Sequence, residues 1–289
     1  MNDVSCQVGN TPEVEIEGII FKRDDMNPSG SVKDRGIAYQ LDWVKKQGIK
    51  DLVISSSGNA AISACYFCKR LELNLFVFVS PKINHKKLDI LHQYPFQVFI
   101  NKRAKSESIK FAKRNNFFHL RSSADPRGTI GYQEIAKEIL EDRGNQGGWG
   151  QINSIFIPVS SGTTLVGINE GFGRQGFLPQ IHAVQTTAIN SIARLFDRDF
   201  RPSKTSLADS LVARTTPRRK QLIGIITKSK GFGWVIADDE IIEASQWLEG
   251  RKLLTSFEGA AALAGIWKAR KKNWQLGKVV CLLTGKRYI

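Results

Sequence analysis

The sequence is poor in the residues that mark exported, metal-binding or membrane proteins. Its 289 residues include only four cysteines and four histidines, which are too few and too scattered for a disulfide framework. No segment approaches the roughly 18 consecutive apolar residues that a membrane span requires, and the N-terminus has no basic stretch followed by an apolar one. We therefore expect a soluble, cytoplasmic protein with reduced thiols, no bound metal and no membrane partner.

One pair of cysteines, Cys65 and Cys68, has the spacing of half a zinc site. No second pair of cysteines or histidines accompanies it at a metal-binding spacing. Small and apolar residues surround both cysteines within a predicted helix, so we interpret them as buried core thiols.

Acidic residues are scarce relative to basic ones: 27 Asp and Glu against 42 Lys and Arg give a net charge of +15. Such an excess is compatible with a nucleic acid, a membrane surface or an anionic small molecule as partner, and also with a merely soluble surface. Basic clusters occur at Lys86-Lys87, Lys102-Arg103, Arg218-Arg219-Lys220 and Lys268 to Lys272. Their dispersal, without a recognised binding motif, favours a solvated surface over a nucleic-acid-binding site.

Short β-rich runs alternate with helical patterns along nearly the whole chain. The predicted strands are Ile16–Lys22, Leu52–Ser55, Leu75–Val79, Phe96–Ile100, Ser154–Val159, Ile181–Gln185 and Val279–Leu283. The predicted helices are Val32–Gln47, Ala60–Arg70, Lys105–Asn115, Tyr132–Asp142, Thr164–Gly171, Asp239–Glu249 and Glu258–Lys271. The alternation predicts an α/β fold with mostly parallel strands, whose ligands bind at the carboxyl ends of the strands. The glycine-rich segment Arg143–Gly150 is predicted to be a surface loop or a domain joint.

A lysine at the start of the first predicted helix has the setting of a nucleophilic amine. The segment NPSG at 27–30 predicts a tight turn, and Ser31 followed by Asp34 is a capping-box pattern that begins a helix. Lys33 would lie in the first helical turn, where the partial positive charge of the helix end favours the neutral amine. A neutral amine is what a Schiff base requires, although solvated lysines occur in the same local sequence.

Two loops between a predicted strand and a predicted helix are rich in small and hydroxyl residues, at 55–61 and at 158–165. Backbone N–H groups and hydroxyls in such loops surround an anion, and the helix N-terminus favours a carboxylate or a phosphate. In the first loop, Asn59 adds an amide that can donate to a phenolate or carboxylate oxygen. The second loop suits a phosphate monoester. Together with an activated lysine, the two loops form a specific constellation.

With these motifs in this order, the sequence resembles the fold type II (tryptophan synthase beta-like) family of pyridoxal-phosphate-dependent enzymes. The family includes threonine synthase, cysteine synthase and the serine/threonine dehydratases. The resemblance covers almost the whole chain, through GNTP at 9–12, FKRDDM at 21–26, NPSGSVKDRG at 27–36, SSSGNAA at 55–61, PVSSGTTLVG at 158–167, EGAAALAG at 258–265 and LTGK at 283–286. It implies a two-lobed α/β fold, with mostly parallel sheets flanked by helices, and pyridoxal 5'-phosphate as cofactor.

The resemblance also implies a role for each matching residue. Lys33 would form the Schiff-base link to the cofactor and then act as general base, Asn59 would bond the 3-oxygen of the ring, and Thr284 would face the pyridine nitrogen. The substrate carboxylate would be held by Ser56, Ser57, Gly58 and Ala60, and the cofactor phosphate by Ser161, Gly162, Thr163 and Thr164. A hydroxyl at position 284 in place of an acid leaves that nitrogen largely unprotonated, which favours elimination and replacement over transamination.

Within the family, KDRG at 33–36 and SSSGNAAISA at 55–64 are most similar to threonine synthase. This member is a lyase of amino-acid biosynthesis that converts O-phosphohomoserine and water into threonine and phosphate. Other positions differ from it: Val32 before the lysine is common in cysteine synthases, and Ile130 stands where threonine synthases normally have Glu. Cysteine synthase-like β-replacement and serine/threonine dehydration therefore stay open, as does a non-catalytic or nucleic-acid-binding protein on this scaffold.

The family's architecture implies two lobes. Residues 1–40 and 128–289 would build a larger, cofactor-binding lobe, and residues 41–127 a smaller, mobile lobe that closes on the substrate. We expect a homodimer, as is usual in the family, with a small amino acid, phosphorylated in the threonine synthase case, as substrate. We expect no nucleic-acid partner.

Overall fold

The computed structural model describes residues 3–121, 123–145 and 152–288, which form parallel-rich sheets flanked by helices. The strands are β1 (Glu13–Ile16), β2 (Ile19–Lys22), β3 (Asp51–Ser55), β4 (Asn74–Val79), β5 (Gln97–Ile100), β6 (Phe118–Leu120), β7 (Ser154–Pro158), β8 (Gln180–Thr186), β9 (Gly233–Ile236) and β10 (Val279–Leu282). The helices are α1 (Lys33–Lys46), α2 (Asn59–Arg70), α3 (His85–His92), α4 (Ala104–Asn115), α5 (Arg127–Asn145), α6 (Thr163–Arg174), α7 (Arg219–Lys228), α8 (Asp238–Gly250) and α9 (Phe257–Lys271). The predicted α/β class is confirmed.

The chain divides into two compact units. The first contains the described residues among 1–9, 27–131 and 288–289, and the second contains residues 10–26 and 132–287. Helix α1 lies in the first unit, where Ile37, Leu41 and Val44 share an apolar core with α2. The division into a cofactor-binding lobe and a mobile lobe stays a prediction.

The first unit is built on a four-stranded parallel sheet in the order β5-β4-β3-β6. In β3, Leu52 and Ile54 pack in the core with α1 and α2, whereas Val53 packs in a phenylalanine-rich cluster with α4, as the two-residue period of a strand requires. The chain leaves β3 toward β4 and later returns to its other side as β6. The carboxyl end of β3 is therefore at a topological switch point, where ligands bind in open α/β sheets.

The second unit is built on a six-stranded sheet in the order β1-β2-β10-β7-β8-β9. The β1–β2 pair is antiparallel and the other pairs are parallel. Helices α8 and α9 cover one face through a core that includes Phe156, Val184 and Trp234. Since β10 returns between β2 and β7, the switch point of this sheet lies at the carboxyl ends of β7 and β10.

Several elements differ from the sequence prediction. The predicted strand at 16–22 is a hairpin, because Glu17 and Gly18 both have positive φ, 52° and 71°, and turn the chain between β1 and β2. Elements α3, α7, β6 and β9 were not predicted. The sequence of α7, RKQLIGIITK, is rich in β-branched residues and contains a glycine, so its helical propensity is low. In the proposed connector, residues 143–145 continue α5, and residues 146–150 lie outside the described residues.

The cysteine pair lies in α2, and both thiols are fully buried, as predicted. Burial raises the pKa of the Cys65 thiol to about 12 and that of Cys68 well above its usual value. Across the described ranges, no group of three or more His, Cys, Asp or Glu side chains is arranged to hold a metal ion. Nor is any helix in this part of the chain long and apolar enough to cross a membrane.

Candidate active site

Lys33 is the first residue of α1, and the turn before it is held by side-chain hydrogen bonds. The Ser29 N–H donates to Asp34 Oδ2 over 2.6 Å, and the Ser29 hydroxyl donates to Asp34 Oδ1. The Lys33 N–H donates to Ser31 Oγ over 3.3 Å. The Asp34 carboxylate thus accepts two hydrogen bonds from Ser29, a partner that the capping-box pattern did not predict. Lys33 nevertheless lies in the first helical turn, as predicted.

Helix α5 supports the start of α1 by direct backbone contact. Gly131 lies against the carbonyl of Arg35, and a Cβ at position 131 would overlap that oxygen and come within 3.2 Å of the Gly36 nitrogen. No residue larger than glycine fits without displacing one of the two helices. Gly131 therefore determines where the first turn of α1, with Lys33, lies in the first unit.

The residues predicted to hold the substrate carboxylate surround the N-terminus of α2, directly after β3. The Ser56 N–H donates to Phe78 O over 3.1 Å, and the Gly58 N–H donates to Ser56 Oγ over 3.3 Å. The Ser57 hydroxyl accepts from the Ser80 N–H over 2.7 Å. Gly58 is the N-cap and Ala60 lies in the first turn. Ser56, Ser57, Gly58 and Ala60 thus converge on one helix end, whose first N–H groups have no intrahelical partner and suit a carboxylate.

Asn59 begins α2 and has an unsatisfied amide oxygen. Its Oδ1 atom is buried and has no hydrogen-bond partner among the described residues, and the same is true of Ser63 Oγ. Residues four apart lie on the same face of a helix, so the two polar atoms belong to one face of α2. Asn59 was predicted from the sequence as a binding residue, whereas Ser63 was not predicted. The spacing of four residues between them, which puts both on one helix face, was the signal that could have indicated Ser63.

The predicted phosphate loop joins β7 to α6 in the second unit. Gly162 is the N-cap of α6 with φ of 87°, and a Cβ there would lie 2.5 Å from Leu222 Cδ1. The hydroxyls of Ser161 and Thr163 share a hydrogen bond of 3.2 Å, and Thr163 and Thr164 open the helix. A left-handed glycine followed by a helix N-terminus with hydroxyl side chains is suited to a phosphate group.

Thr284 lies two residues beyond β10, at the same edge of the sheet as the phosphate loop. Strands β10 and β7 are parallel neighbours, with Cys281 opposite Phe156, so their carboxyl ends lie side by side. The following carbonyl, of Gly285, accepts from Thr255 Oγ1 over 2.9 Å and from the Ser256 N–H over 2.7 Å. The second unit therefore brings Thr284 and the loop of Ser161 to Thr164 together at its switch point, whereas Lys33 and residues 56–60 belong to the first unit.

Residues 203–218, which we name the strap, cross this edge of the second unit and were missed by sequence analysis. Hydrogen bonds anchor the strap to four other segments: the residues after β8, the start of α8, the start of α9 and the residues before α6. Its hydrogen bonds run from Thr187 to Ser203 (2.8 Å), Ser206 to Asp238 (2.7 Å), Ser210 to Glu258 (2.8 Å), Ala213 to Ser160 (3.3 Å) and Thr216 to Ser161 (2.7 Å). The residues that bind the strap are distant from it in the chain, so the local sequence pattern did not indicate the strap.

The donors and acceptors described above fit a phosphorylated pyridine cofactor. The phosphate loop offers hydroxyls and helix N–H groups at the start of α6, next to a left-handed glycine against which Leu222 packs. The Asn59 Oδ1 atom is a buried acceptor without a partner among the described residues, so it can pair with a donor on a bound ligand, and the NH₂ group of the same amide is the donor that a ring oxygen requires. Each unit by itself therefore offers groups suited to part of such a cofactor: Lys33 and Asn59 in the first unit, and the loop of Ser161 to Thr164 with Thr284 in the second.

Comparison with known proteins identifies the family. Residues 4–285 match the family described as pyridoxal-phosphate dependent enzyme. The chain belongs to this family, and its cofactor is pyridoxal 5'-phosphate. The tryptophan synthase beta-like fold expected from the sequence is confirmed.

Relatives with different activities are similar to this chain at low identity. L-serine dehydratase/L-threonine deaminase of Mus musculus is 26% identical over 276 residues, which are 92% of this chain and 79% of the mouse protein. Threonine synthase of Methanocaldococcus jannaschii is 23% identical over 309 residues, covering 98% of this chain and 75% of that protein. The structure of maize serine racemase superposes with a TM-score of 0.85 at 17% identity, covering 99% of this chain and 91% of the racemase.

Proposed function

We propose that this protein is a lyase that acts on a small amino acid by elimination or replacement, with O-phosphohomoserine and water as substrates and threonine and phosphate as products. The observation that carries the lyase class is the position of Thr284 at the switch point next to the phosphate loop. A neutral hydroxyl at the pyridine nitrogen leaves that nitrogen largely unprotonated, and this favours elimination and replacement over transamination.

Lys33 is the residue to which we assign the covalent attachment and the proton transfer. When bound, the cofactor supplies an electron sink for negative charge at the substrate α-carbon. Lys33 Nζ removes the proton from that carbon as general base, and its place in the first turn of α1 favours the neutral amine that this step needs. The Ser29–Asp34 hydrogen bonds keep the turn before Lys33 in one conformation.

The remaining residues bind and orient. The N-terminus of α2, with Ser56, Ser57, Gly58 and Ala60, holds the substrate carboxylate, and Asn59 bonds the 3-oxygen of the cofactor ring. The loop of Ser161, Gly162, Thr163 and Thr164 holds the cofactor phosphate. Holding the substrate carboxylate and the cofactor ring in this way fixes the orientation of the substrate α-carbon. This orientation is the main contribution that the protein makes to proton removal from that carbon.

The threonine synthase reaction balances as follows: the Cγ–O bond to phosphate breaks and Cγ gains a proton to become the methyl group, while Cβ gives up one proton and gains the hydroxyl of water, whose remaining proton leaves with the phosphate. The motifs at 33–36 and 55–64 support this choice, and so does the similarity to the archaeal threonine synthase.

Dehydration of serine or threonine is the second candidate. Two observations favour it: the similarity to the mouse dehydratase, and Ile130 in α5 where threonine synthases normally carry a Glu. An apolar side chain at this position cannot accept or donate a proton. A dehydratase releases ammonia and a 2-oxo acid, and a cysteine synthase-like enzyme would instead join sulfide to the β-carbon of O-acetylserine.

One panel of assays separates these reactions. The purified holoenzyme is incubated separately with O-phosphohomoserine, L-serine, L-threonine, and O-acetylserine with sulfide, and phosphate, ammonia, 2-oxo acid and cysteine are measured. We expect phosphate and threonine from O-phosphohomoserine, and no products from the Lys33→Ala variant. Ammonia from serine or threonine, without phosphate release in the first assay, would replace the threonine synthase assignment by the dehydratase one. Sedimentation of the holoenzyme tests the expected homodimer.

A further inference from the structure

The strap ends beside the phosphate loop at Arg218. The Thr216 hydroxyl donates to the Ser161 carbonyl over 2.7 Å, and the Arg218 N–H donates to Thr216 Oγ1 over 3.2 Å. Only one side chain thus separates the Arg218 backbone from the backbone of the loop. This part of the strap cannot shift without breaking both bonds.

Arg218 begins helix α7 one turn before Leu222, the residue of this helix that packs against the phosphate loop. Arg218 is the N-cap of α7, and its carbonyl accepts from the Leu222 N–H over 2.9 Å. The Leu222 side chain faces Gly162, where an added Cβ would lie 2.5 Å from Leu222 Cδ1. Residues four apart share a helix face, so Arg218 lies on the face of α7 that meets the phosphate loop.

Arg218 also has an unsatisfied donor. Its Nε atom is buried and has no hydrogen-bond partner among the described residues. A guanidinium is always charged, and a desolvated donor on it is unfavourable unless an acceptor is supplied. The loop of Ser161 to Thr164 has hydroxyls and helix N–H groups but no charged side chain. The neighbouring Arg214 and Arg219 are exposed, so Arg218 differs from them in its surroundings.

We propose that Arg218 is a direct ligand of the phosphate group bound by Ser161–Thr164, and that it gives the cofactor phosphate a charge-assisted hydrogen bond. This assignment concerns cofactor binding and goes beyond the proposed function, since it holds for any amino-acid substrate. The neutral loop fixes the position of the phosphate, and Arg218 supplies the charge that balances it.

The affinity for pyridoxal phosphate tests the proposal without reference to activity. Holoenzymes carrying Arg218→Gln, Arg218→Lys or Arg219→Gln are diluted, and release of the cofactor is followed by the loss of visible absorption. We expect Arg218→Gln to release the cofactor at a protein concentration about 10- to 100-fold higher than the unaltered protein does. This factor corresponds to the loss of one charge-assisted hydrogen bond. Arg218→Lys should recover part of the affinity because it keeps the charge. The control Arg219→Gln removes an equal charge from the adjacent exposed position and should bind as the unaltered protein does.

Phosphorus NMR of the unaltered holoenzyme gives a second test that does not depend on whether a variant folds. A free phosphate monoester loses its second proton with a pKa of about 6, whereas the bound phosphate should stay doubly ionised well below that pH. In Arg218→Gln the resonance should shift and titrate closer to the free ester.

Two results would overturn the proposal. One is a bound phosphate that titrates like the free ester in the unaltered protein. The other is an Arg218→Gln variant that matches Arg219→Gln in both measurements. If Arg218→Gln leaves both measurements unchanged but weakens inhibition by inorganic phosphate, Arg218 binds a phosphate other than that of the cofactor, and the proposal is wrong.

Discussion

Gly131 in α5 lies directly against the carbonyl oxygen of Arg35 in α1, with no room for a Cβ between the two backbones. Two helix backbones meet at this point, two residues beyond Lys33. The position of the lysine to which we assign the covalent attachment therefore depends on a glycine almost one hundred residues further along the chain.

Gly131→Ala should destabilise the protein and weaken cofactor attachment. The methyl group would displace the first turn of α1, and overpacking of this kind costs about 1–3 kcal/mol. The free energy of unfolding from urea titration and the visible absorption of the holoenzyme measure the two effects. Gly173→Ala in α6 is the matched control, because nothing lies within 4 Å of a Cβ there, and it should stabilise by about 0.5–1 kcal/mol. Equal effects of the two substitutions would show that the close contact is not a constraint.

Ser63→Ala should leave the cofactor-free protein as stable as before, or make it more stable by up to about 1 kcal/mol. The reason is that Ser63 Oγ is buried without a partner, so its removal relieves an unsatisfied group. Ser154→Ala is the control: Ser154 is equally buried, but its hydroxyl donates to Leu276 O over 2.8 Å, so its loss should cost about 1 kcal/mol. Urea titration of both variants provides the comparison, and a larger loss for Ser63→Ala than for Ser154→Ala would contradict it.

Glu138→Ala should destabilise the protein by about 3 kcal/mol. Lys22 Nζ is fully buried in β2, 2.9 Å from Glu138 Oε2, and loss of Glu138 leaves this buried charge with the more distant Glu13 carboxylate, 3.6 Å away, and a hydrogen bond to the Thr11 carbonyl. Glu134→Ala, on the same helix, removes an exposed partner of Lys137 and should cost no more than about 0.5 kcal/mol. Chemical unfolding of the two variants measures the difference. Similar losses would mean that the Lys22–Glu138 pair adds nothing beyond a surface ion pair.

Stability should fall with pH below about 6.5 because of His182. Burial lowers the pKa of this histidine to about 3, and its Nδ1 accepts from Trp234 Nε1 over 3.1 Å, so the folded protein keeps the ring neutral. Between about pH 6.5 and 3 the unfolded chain binds a proton that the folded chain does not. The free energy of unfolding should therefore drop by up to about 1.4 kcal/mol per pH unit.

A His182→Gln variant isolates this contribution from other titrating groups. It loses ring stacking with Phe156 and should be less stable at neutral pH, but its stability should decline less steeply below pH 6.5. Urea titrations at several pH values give both slopes. Parallel slopes would show that His182 does not titrate in this way.

Much of the fold and part of the candidate site could be predicted from sequence. The strand β3, the helix α2 and the loop between them follow from an apolar run, a serine-glycine turn and an alanine-rich helix start, all of which are local. A single strand was predicted from Ile16 to Lys22, across the turn between β1 and β2, because Glu17 takes a positive φ that its residue type does not signal. Helix α7 was missed because packing of Leu222 and Ile226 in the interior outweighs a low intrinsic propensity.

The sequence by itself determined the residues to which we assign the chemistry: a lysine at a helix start, an amide at the start of α2, and a hydroxyl-lined loop before α6. These are decided by turns and helix ends, whose hydrogen bonds connect residues a few positions apart. Only the tertiary structure decided the surroundings of that chemistry. The contact of Gly131 with Arg35 and the hydrogen bonds of the strap join segments far apart in the chain, and the burial of Arg218 Nε without a partner depends on the same packing. The burial of a side chain and its hydrogen-bond partners in distant segments are properties of the packed fold, and they produce no pattern in the neighbouring sequence.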